Sequence, residues 1–559
     1  MIALMAGLRR RKSTEAADIA DTAAGTVRGT LESSGRMAVF RGIPYAASPV
    51  GERRWRPPAP PERWKGTRRC TKYGPYAYQR GANMDLFIRK VADGLGLSAA
   101  RKRALLTGVK VSSTKQSEDC LTINVRAPAH AENLPVMVWI HGGDHTDGSG
   151  AEPQYNTDAL PERGCVLVTF NYRLGLFGFL AHPELSAESP DGVSGNYGLL
   201  DQIAALEWVR DNIAGFGGDP GRVTIFGESA GGEAVLNLLT SPRARGLFHR
   251  AIAQSPSDTG RWLHLRRSVL DFGPAEDAGV DFADLAVGSG AAQTERLREV
   301  DPQALTDLYR AHPELGRYFY PVVDGVILPT TPMSAFSAQQ QAKVPLLIGY
   351  NADEGSMLVD IVHPAGAEFL ALPPEGDERV GAPEARATFE RSYPTPGHVD
   401  RLMAAYPGLA SLDPDAVEAH ARDHLFGVHV DHASRQHAAG GVPVYRYHYR
   451  AVPPSAKQTA GAFHGAEIFN VFDSSFPMVP TADDAHLLTR AMGDRWFAFA
   501  ATGDPSYPGR EAWPAYDPGD PRHMVFDRPT SRAETIIPQP GLDVMRERIE
   551  WLTDTLGRG

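Results

Sequence analysis

A serine between a predicted strand and a predicted helix is the feature that most constrains this chain. The motif Gly-Glu-Ser-Ala-Gly occupies residues 227–231, and residues 222–226 before it are short, β-branched and apolar, as in a buried strand. Residues 233–239 predict a helix. Flanking glycines remove side chains that would clash in such a sharp turn, and the helix dipole favours a developing anion. The motif predicts that Ser229 is a nucleophile; the alternative is an ordinary turn of small residues.

An acidic residue and a histidine follow the serine at loop positions. Residues 346–350 predict a strand, and the turn after it carries Glu354, with Asp353 as a neighbouring alternative. His464 lies further on, in a loop of small residues. Each residue alone is typical of a solvated loop. The order serine, acid, histidine favours a catalytic triad, in which the acid orients the histidine and the histidine removes the proton of Ser229.

A site for an oxyanion is predicted at the end of another strand. Residues 134–140 are apolar and indicate a buried strand, which Gly142 and Gly143 follow. Backbone N–H groups exposed at such glycines can bind an oxyanion together with the N–H of the residue after the nucleophile, Ala230. Taken alone, the two glycines are equally typical of a plain turn.

Taken in order, these motifs resemble those of the type B carboxylesterase and cholinesterase family over roughly residues 25–545. The motifs that carry the resemblance are FRGIPYA at 40–46, SEDCLTINV at 117–125, NYRLG at 171–175, GNYGLLDQ at 195–202, FGGDP at 216–220, GESAG at 227–231 and PVVDG at 321–325. The resemblance implies an α/β-hydrolase fold. Its central, mostly parallel sheet would be flanked by helices, with cap or gorge insertions near residues 79–116 and 361–400.

The same resemblance implies a role for each candidate site residue. The catalytic residues would be Ser229 as nucleophile, His464 as base and Glu354 as acid. The oxyanion hole would use the backbone N–H groups of Gly143, Asp144 and Ala230. Supporting groups around them would be Gly142, Glu228 and Ser255.

Asp144 departs from the family pattern, in which a third glycine or an alanine is usual. The substitution keeps the backbone N–H. A carboxylate beside a developing negative charge, however, destabilises that charge unless the carboxylate is turned away or paired. Two interpretations stay open. Either the side chain points into a polar pocket, or Asp144, His145 and Asp147 recognise an amine or hydroxyl of the substrate.

The strand and helix pattern continues without a linker or an internal repeat. We therefore expect a disordered leader at 1–24, a single α/β domain at 25–545 and a C-terminal helix or tail at 546–559. Residues 84–106 predict an amphipathic helix, and residues 366–393, rich in Pro, Gly and Glu, predict a surface loop. Tyr-Phe-Tyr at 318–320 resembles the segment that lines the acyl pocket in relatives and equally suits the core.

The net charge and the number of cysteines indicate which partners the protein can bind and which cellular compartment suits it. The net charge of −10 argues against a nucleic-acid partner, and no stretch is long and apolar enough for a membrane span. The basic run at 9–12 follows an apolar segment, the reverse of a secretory signal, so a cytoplasmic protein is expected, or a secreted one if the start codon is misassigned. Three cysteines suit a reducing compartment; whether Cys70 and Cys120 pair stays open.

These features together predict a serine carboxylesterase, monomeric or homodimeric, that hydrolyses a small-molecule ester through an acyl-enzyme without a cofactor. The histidine-rich segment 420–437 invites a metal interpretation, but helical spacing puts no third ligand on the face shared by His420 and His424, so no metal is expected. Two alternatives are an acyltransferase or cyclase that uses the same acyl-enzyme, and a non-catalytic cholinesterase-like binding protein. The complete triad argues against the binding protein.

Overall fold

A large mixed sheet organises the protein, whose computed structural model describes residues 17–108, 115–257, 263–270, 272–358, 382–453, 457–474 and 484–556. The strands are β1 (Ile19–Thr22), β2 (Gly25–Arg28), β3 (Thr30–Glu32), β4 (Met37–Pro44), β5 (Thr67–Arg69), β6 (Thr122–Pro128), β7 (Leu134–Ile140), β8 (Val166–Phe170), β9 (Gly218–Glu228), β10 (Arg250–Gln254), β11 (Leu346–Asn351), β12 (Val444–Tyr449), β13 (Arg522–Phe526) and β14 (Ser531–Thr535).

Eleven of these strands form the main sheet, in the order β14-β13-β12-β11-β10-β9-β7-β8-β6-β4-β3, and β1, β2 and β5 form a small second sheet. The run from β8 to β13 is parallel, with Phe226 beside Trp139 and Ile252 in register. The pairs at both ends are antiparallel. The prediction of an α/β-hydrolase sheet is confirmed, and its parallel centre brings several strand ends to one edge.

Helices cover both faces of the sheet. They are α1 (Ala82–Gly94), α2 (Ala99–Gly108), α3 (Ala159–Glu162), α4 (Gly175–Phe179), α5 (Pro183–Glu188), α6 (Tyr197–Asn212), α7 (Ala230–Thr240), α8 (Ala275–Val287), α9 (Gln293–Glu299), α10 (Pro302–Ala311), α11 (Pro313–Gly316), α12 (Pro332–Ser337), α13 (Ala382–Ser392), α14 (His398–Ala405), α15 (Pro414–Arg422), α16 (Val428–Ala439), α17 (Ile468–Val471), α18 (Ala485–Thr502) and α19 (Pro540–Leu556). A π-helical turn, Asp423–Gly427, joins α15 to α16.

Strand β7 shows why the central strands are continuous apolar runs. Val136 and Val138 belong to the core on the face covered by α6 and α7. Met137 and Trp139 point to the opposite face, where they share a core with Trp496 of α18. A strand buried on both faces needs an apolar side chain at every position, since successive side chains alternate between the faces.

Several segment boundaries differ from the expected ones. Ile19–Thr22, placed in the leader at 1–24, pairs with Gly25–Arg28, so ordered chain begins before residue 25; residues 1–16 lie outside the described residues. The helix predicted at 84–106 is two helices, α1 and α2. In the surface loop predicted at 366–393, α13 fills the last part, and the part up to 381 lies outside the described residues. Helix α19 crosses the expected boundary after residue 545 without interruption.

The three cysteines, Cys70, Cys120 and Cys165, are free and buried. The pairing of Cys70 with Cys120 that the sequence left open is therefore absent from the structure. Burial raises the pKa of the Cys70 thiol to about 11, which keeps it protonated.

A buried ion pair fixes the chain after β8 to helix α6. Arg173 Nε and Nη2 donate to the two carboxylate oxygens of Asp201 at 2.7 and 2.8 Å, and the backbone N–H of Arg173 donates to Oδ2 at 3.1 Å. Both side chains are almost completely buried, with exposed fractions of 3% and 0%. A bidentate pair satisfies both charges, which burial makes necessary.

The substitution Asp201→Asn should lower the free energy of unfolding by about 3–5 kcal/mol, because it leaves the Arg173 guanidinium buried without its counter-ion. Asp211→Asn is the matched control on the same helix, since Asp211 pairs with Arg210 at the surface with both side chains 50% exposed. It should cost less than about 1 kcal/mol. Denaturant unfolding of both variants measures the difference, and equal losses would contradict a structural role for the buried pair.

Candidate active site

Ser229 occupies a strained turn between β9 and α7. The strand ends at Glu228, the helix begins at Ala230, and Ser229 between them has φ 59° and ψ −125°. A non-glycine residue rarely adopts a positive φ, and such strain persists only where the surroundings fix it. Here the N–H of Ser229 donates to the carbonyl of Gln254 at 3.0 Å, and its own carbonyl accepts the first helical hydrogen bond, from Glu233, at 2.9 Å. The sequence prediction of a serine at a strand-to-helix turn is confirmed.

Two glycines allow the end of β7 and the loop after it to lie close to the serine turn, which follows β9. A Cβ atom on Gly231 would lie 2.1 Å from the carbonyl oxygen of Ile140. A Cβ atom on Gly142 would lie 2.7 Å from the carbonyl oxygen of Glu228 and 3.3 Å from the Cβ of Ser229. The loop after β7 therefore lies directly against the serine, and neither position has room for a side chain.

His464 is bound by Glu354 through its Nδ1 atom. Nδ1 lies 2.6 Å from Glu354 Oε2, while Glu354 Oε1 accepts from the Ser255 hydroxyl at 2.6 Å and from the Asn351 N–H at 2.7 Å. The carboxylate is completely buried. A carboxylate oxygen on this side accepts a hydrogen bond from Nδ1, so in the neutral imidazole Nε2 has the lone pair that can accept a proton.

Asp353, the alternative acid, has a different task. Its Oδ2 accepts a hydrogen bond from the backbone N–H of Ala462 at 2.6 Å. This contact fixes the start of the loop that carries His464. The geometry therefore separates two adjacent carboxylates that the local sequence pattern left open, with Glu354 on the imidazole, as the family resemblance implied, and Asp353 on the loop.

A second carboxylate lies at the other edge of the imidazole. Glu228 Oε1 is 3.3 Å from His464 Nε2, and both side chains are buried. Burial by itself lowers the pKa of His464, but the charges of Glu228 and Glu354 outweigh burial and raise it. Burial raises the pKa of Glu228. Because Glu228 is the residue before Ser229, this contact places the imidazole at the serine turn.

A buried hydrogen-bond network that the sequence did not indicate lies behind Glu354 and His464. Glu467 Oε1 accepts from Gln254 at 3.0 Å, and its Oε2 accepts from the Asn351 side chain at 2.6 Å. Gln254 in turn accepts from the indole N–H of Trp496 at 3.0 Å. Burial raises the pKa of Glu467. The one sequence signal for Glu467 was its position three residues after His464.

Two phenylalanines flank the imidazole of His464. Phe426, in the π-helical turn, lies with its ring centroid 4.9 Å from that of His464, and Phe87 of α1 meets it edge-on at 6.2 Å. Phe87 belongs to the insertion that the sequence analysis placed near the gorge at 79–116. The insertion therefore reaches His464 and gives this side of the candidate site an apolar wall.

The loop after β7 carries a run of left-handed residues. Gly143, Asp144 and His145 have φ values of 103°, 56° and 54°. The carboxylate of Asp144 accepts a hydrogen bond from the Tyr320 hydroxyl at 2.7 Å. This contact supports the interpretation in which the Asp144 side chain is paired in a polar pocket.

His145 and Asp147 are buried, with exposed fractions of 1% and 2%, which argues against the interpretation that they contact the substrate directly. Asp147 accepts instead from the Gly81 N–H at 2.8 Å and from the Thr146 hydroxyl at 2.9 Å. Burial raises the pKa of Asp147 to about 6.

The three aromatic residues of the segment 318–320 have different surroundings. Phe319 is a core residue, and the Tyr318 hydroxyl accepts from the Gly273 N–H at 3.3 Å. Tyr320 alone reaches the loop after β7 through its contact with Asp144.

In the described part of the chain, no group of three or more His, Cys, Asp or Glu side chains is arranged to hold a metal ion. His420 and His424 stack with their ring centroids 5.4 Å apart, and burial lowers the pKa of His420 to about 3, which keeps it neutral. Over the same residues, every helix is too short or too polar to span a bilayer.

Solved structures of esterases superpose on this protein along nearly its whole length. A PNB esterase structure superposes with a TM-score of 0.76 at 30% identity, covering 95% of this chain and 99% of that chain. A crystal structure of a carboxylesterase from Geobacillus stearothermophilus gives a TM-score of 0.75 at 30% identity, with the same coverage. The fold and these neighbours define an α/β-hydrolase of the esterase class.

Sequence comparison identifies the family. Residues 16–543 match the carboxylesterase family. Fumonisin B1 esterase of Sphingopyxis macrogoltabida is 36% identical over 520 residues, covering 89% of this chain and 84% of that protein. Para-nitrobenzyl esterase of Bacillus subtilis strain 168 is 33% identical over 532 residues, covering 91% and 94%. The chain belongs to the carboxylesterase family and is a carboxylic ester hydrolase.

The substitution Gly142→Ala should lower the kcat for p-nitrophenyl acetate by about 100-fold, because the new methyl group would push the loop after β7 away from the serine turn. Gly273→Ala is the control, since a Cβ atom there would meet only the Tyr318 hydroxyl, at 3.9 Å. Steady-state kinetics together with the melting temperature separates a local effect from unfolding. Full activity of Gly142→Ala would show that this close approach does not set the geometry of the site.

Proposed function

We propose that this protein is a serine carboxylesterase in which Ser229, His464 and Glu354 form the catalytic triad. The observation that carries the proposal is the imidazole of His464, fixed by Glu354 at 2.6 Å and lying at the strained turn of Ser229. The three residues come from separate loops at the same edge of the sheet. A base held next to the turn that carries a serine at a helix N-terminus suits acyl transfer to that serine.

The reaction proceeds in two halves. His464 Nε2 takes the proton from Ser229 Oγ as Oγ bonds to the ester carbonyl carbon, and Glu354 stabilises the imidazolium that forms. The tetrahedral intermediate collapses when the bond to the alcohol breaks and His464 gives its proton to the leaving oxygen. Water, activated by His464, then attacks the acyl-enzyme, and the carboxylic acid leaves with Ser229 regenerated.

The negative charge of each tetrahedral intermediate needs preorganised donors. We assign this task to the backbone N–H groups of Gly143, Asp144 and Ala230. Ala230 is the first residue of α7, so its N–H belongs to the positive end of the helix dipole. Gly143 and Asp144 lie in the loop that packs against the serine turn. Donors fixed by the fold act without reorganisation when charge develops.

The wall of the site favours esters with an apolar group. Phe87 of the insertion and Phe426 of the π-helical turn border His464, and apolar side chains gain free energy by covering alkyl or aryl groups of a substrate. We therefore propose p-nitrophenyl esters of increasing acyl length as first substrates. The names of the two relatives add p-nitrobenzyl esters and fumonisin B1 to the panel.

The substitution Ser229→Ala should reduce kcat for p-nitrophenyl esters by at least about 10⁴-fold, because the acyl-enzyme can no longer form. Ser241→Ala is the matched control, a completely buried serine at the end of the same helix, and it should keep wild-type turnover. Ester hydrolysis by Ser229→Ala at the wild-type rate would sink the proposal.

Product analysis separates hydrolysis from acyl transfer. Mass spectrometry of the products, with and without an added acceptor alcohol or amine, should show the free carboxylic acid as the main product in both cases. Transfer of the acyl group to the acceptor in preference to water would favour the acyltransferase alternative, with the triad unchanged.

The substitution Glu228→Gln should move the acidic limb of the kcat/KM profile to lower pH by about one pH unit. His464 acts as base only when neutral, so activity rises with pH through its pKa, and removing the Glu228 charge lowers that pKa. Glu276→Gln is the control, because Glu276 is a buried carboxylate bound to Ser186 and Arg266 instead. A limb that stays in place or moves to higher pH in Glu228→Gln would contradict this coupling.

A further inference from the structure

Two consecutive non-glycine residues in the loop after β7, which carries the proposed oxyanion donors Gly143 and Asp144, adopt the left-handed conformation. Asp144 has φ 56° and His145 has φ 54°, directly after Gly143. Residues with a Cβ atom avoid this region, and two in a row are more unfavourable still. Within the loop, the N–H groups of Thr146 and Asp147 donate to the Gly143 carbonyl at 3.0 and 2.9 Å. Contacts from outside the loop add to these in offsetting the strain.

Tyr320 contacts the side chains of both left-handed residues. Its hydroxyl donates to Asp144 Oδ2 at 2.7 Å, and its ring meets that of His145 edge-on, with centroids 6.4 Å apart and planes at 87°. His145 is also held on its other sides. Its ring packs on Phe179 at 5.4 Å, and its Nε2 lies 3.4 Å from Glu233 of helix α7.

The segment that carries Tyr320 is itself firmly fixed. Tyr320 is buried, with an exposed fraction of 5%. Two residues on, Val322 exchanges hydrogen bonds with the Asn196 side chain, its N–H donating at 3.0 Å and its carbonyl accepting at 2.7 Å. Val323 then bridges to the segment at 263–265 through two backbone hydrogen bonds of 2.8 and 3.0 Å. Tyr320 therefore projects from an anchored strand-like segment onto a loop that needs support.

We propose that Tyr320 is a positioning residue for the oxyanion hole. Its hydrogen bond to Asp144 holds the loop in the left-handed conformation that directs the N–H groups of Gly143 and Asp144 toward the oxyanion. The same hydrogen bond turns the Asp144 carboxylate away from the developing negative charge. This inference rests on the proposed function, because it takes the ester carbonyl oxygen to bind at this loop.

The side chains of Tyr320 and Asp144 should depend on each other. Glycine adopts a positive φ without strain and carries no charge, so a glycine at position 144 would need neither the support nor the redirection. The hydroxyl of Tyr320 should therefore matter only while residue 144 is an aspartate. A hydroxyl that merely stabilised the core would matter equally in both cases.

A double-mutant cycle measures this dependence. In the wild-type background, Tyr320→Phe should lower kcat for p-nitrophenyl acetate by about 10- to 100-fold, with KM changed less than about twofold, because the loss falls on the transition state. In the Asp144→Gly background, adding Tyr320→Phe should change kcat less than about twofold. Tyr318→Phe is the matched control, since that hydroxyl accepts from Gly273 and should be dispensable for turnover.

A second comparison tests the hydrogen bond without substituting Tyr320. Asparagine keeps an acceptor for the Tyr320 hydroxyl, whereas alanine loses it and keeps the strain of a positive φ. Asp144→Asn should therefore exceed Asp144→Ala in kcat by about tenfold. This ranking tests the same hydrogen bond even if Tyr320→Phe does not fold.

The outcomes separate the inference from the function on which it rests. Equal losses from Tyr320→Phe in both backgrounds, no loss with Asp144 present, or equal kcat for Asp144→Asn and Asp144→Ala would each overturn the positioning role. In each case a Ser229-dependent wild-type activity would leave the proposed esterase standing. A wild-type protein without Ser229-dependent turnover would overturn both. Strong coupling in the cycle, with KM unchanged, supports the inference.

Discussion

The hydrogen bond between Glu354 and His464 is the interaction on which the rest of the site depends. It joins the loop after β11 to a loop that lies 110 residues further along the chain. Both groups are buried, so each needs a partner to offset the loss of water. Ser255, at the end of β10, completes the shell of donors around the carboxylate. The histidine is consequently held in one orientation and one tautomer before any substrate arrives.

The parallel centre of the sheet explains why these groups meet. Strands β7, β9, β10 and β11 are neighbours and run in the same direction, so the loops that follow them all leave the same edge. The loop with Gly143 and Asp144 follows β7, and the serine turn follows β9. Ser255 follows β10, and Glu354 follows β11. Ligand and catalytic groups collect at this edge in open α/β sheets for the same reason. The cost is a crowded set of buried carboxylates, which hydrogen bonds from Asn351 and Gln254 make tolerable.

The sequence could predict the parts of this site that are local. The bounds of β7 follow from its apolar run, and the turn at Ser229 follows from a strand, two glycines and a helix in succession. Local pattern alone could not separate Glu354 from Asp353, because both occupy one turn; the family resemblance chose Glu354, and in space Glu354 contacts His464 while Asp353 contacts Ala462.

Some contacts between distant parts of the chain had no signal in the sequence. Tyr320 meets a residue 176 positions away, and Phe87 and Phe426 reach His464 from an insertion and a π-helical turn. Propensity and periodicity describe neighbours along the chain, so they carry no signal for such pairs. The early strand at Ile19–Thr22 was missed for the same reason, since its order comes from pairing with β2 and the surrounding fold.

Asp147 gives the site a property of its own. It accepts a hydrogen bond from the Gly81 N–H, and Gln79 donates to the Gly148 carbonyl at 2.5 Å, so the loop after β7 is tied to the insertion that forms the apolar wall. The apolar wall and the loop that we propose to bind the oxyanion are thus joined by hydrogen bonds. Under the proposed function, selection for a wider substrate range that acts through the wall also acts on the rate of the chemical step.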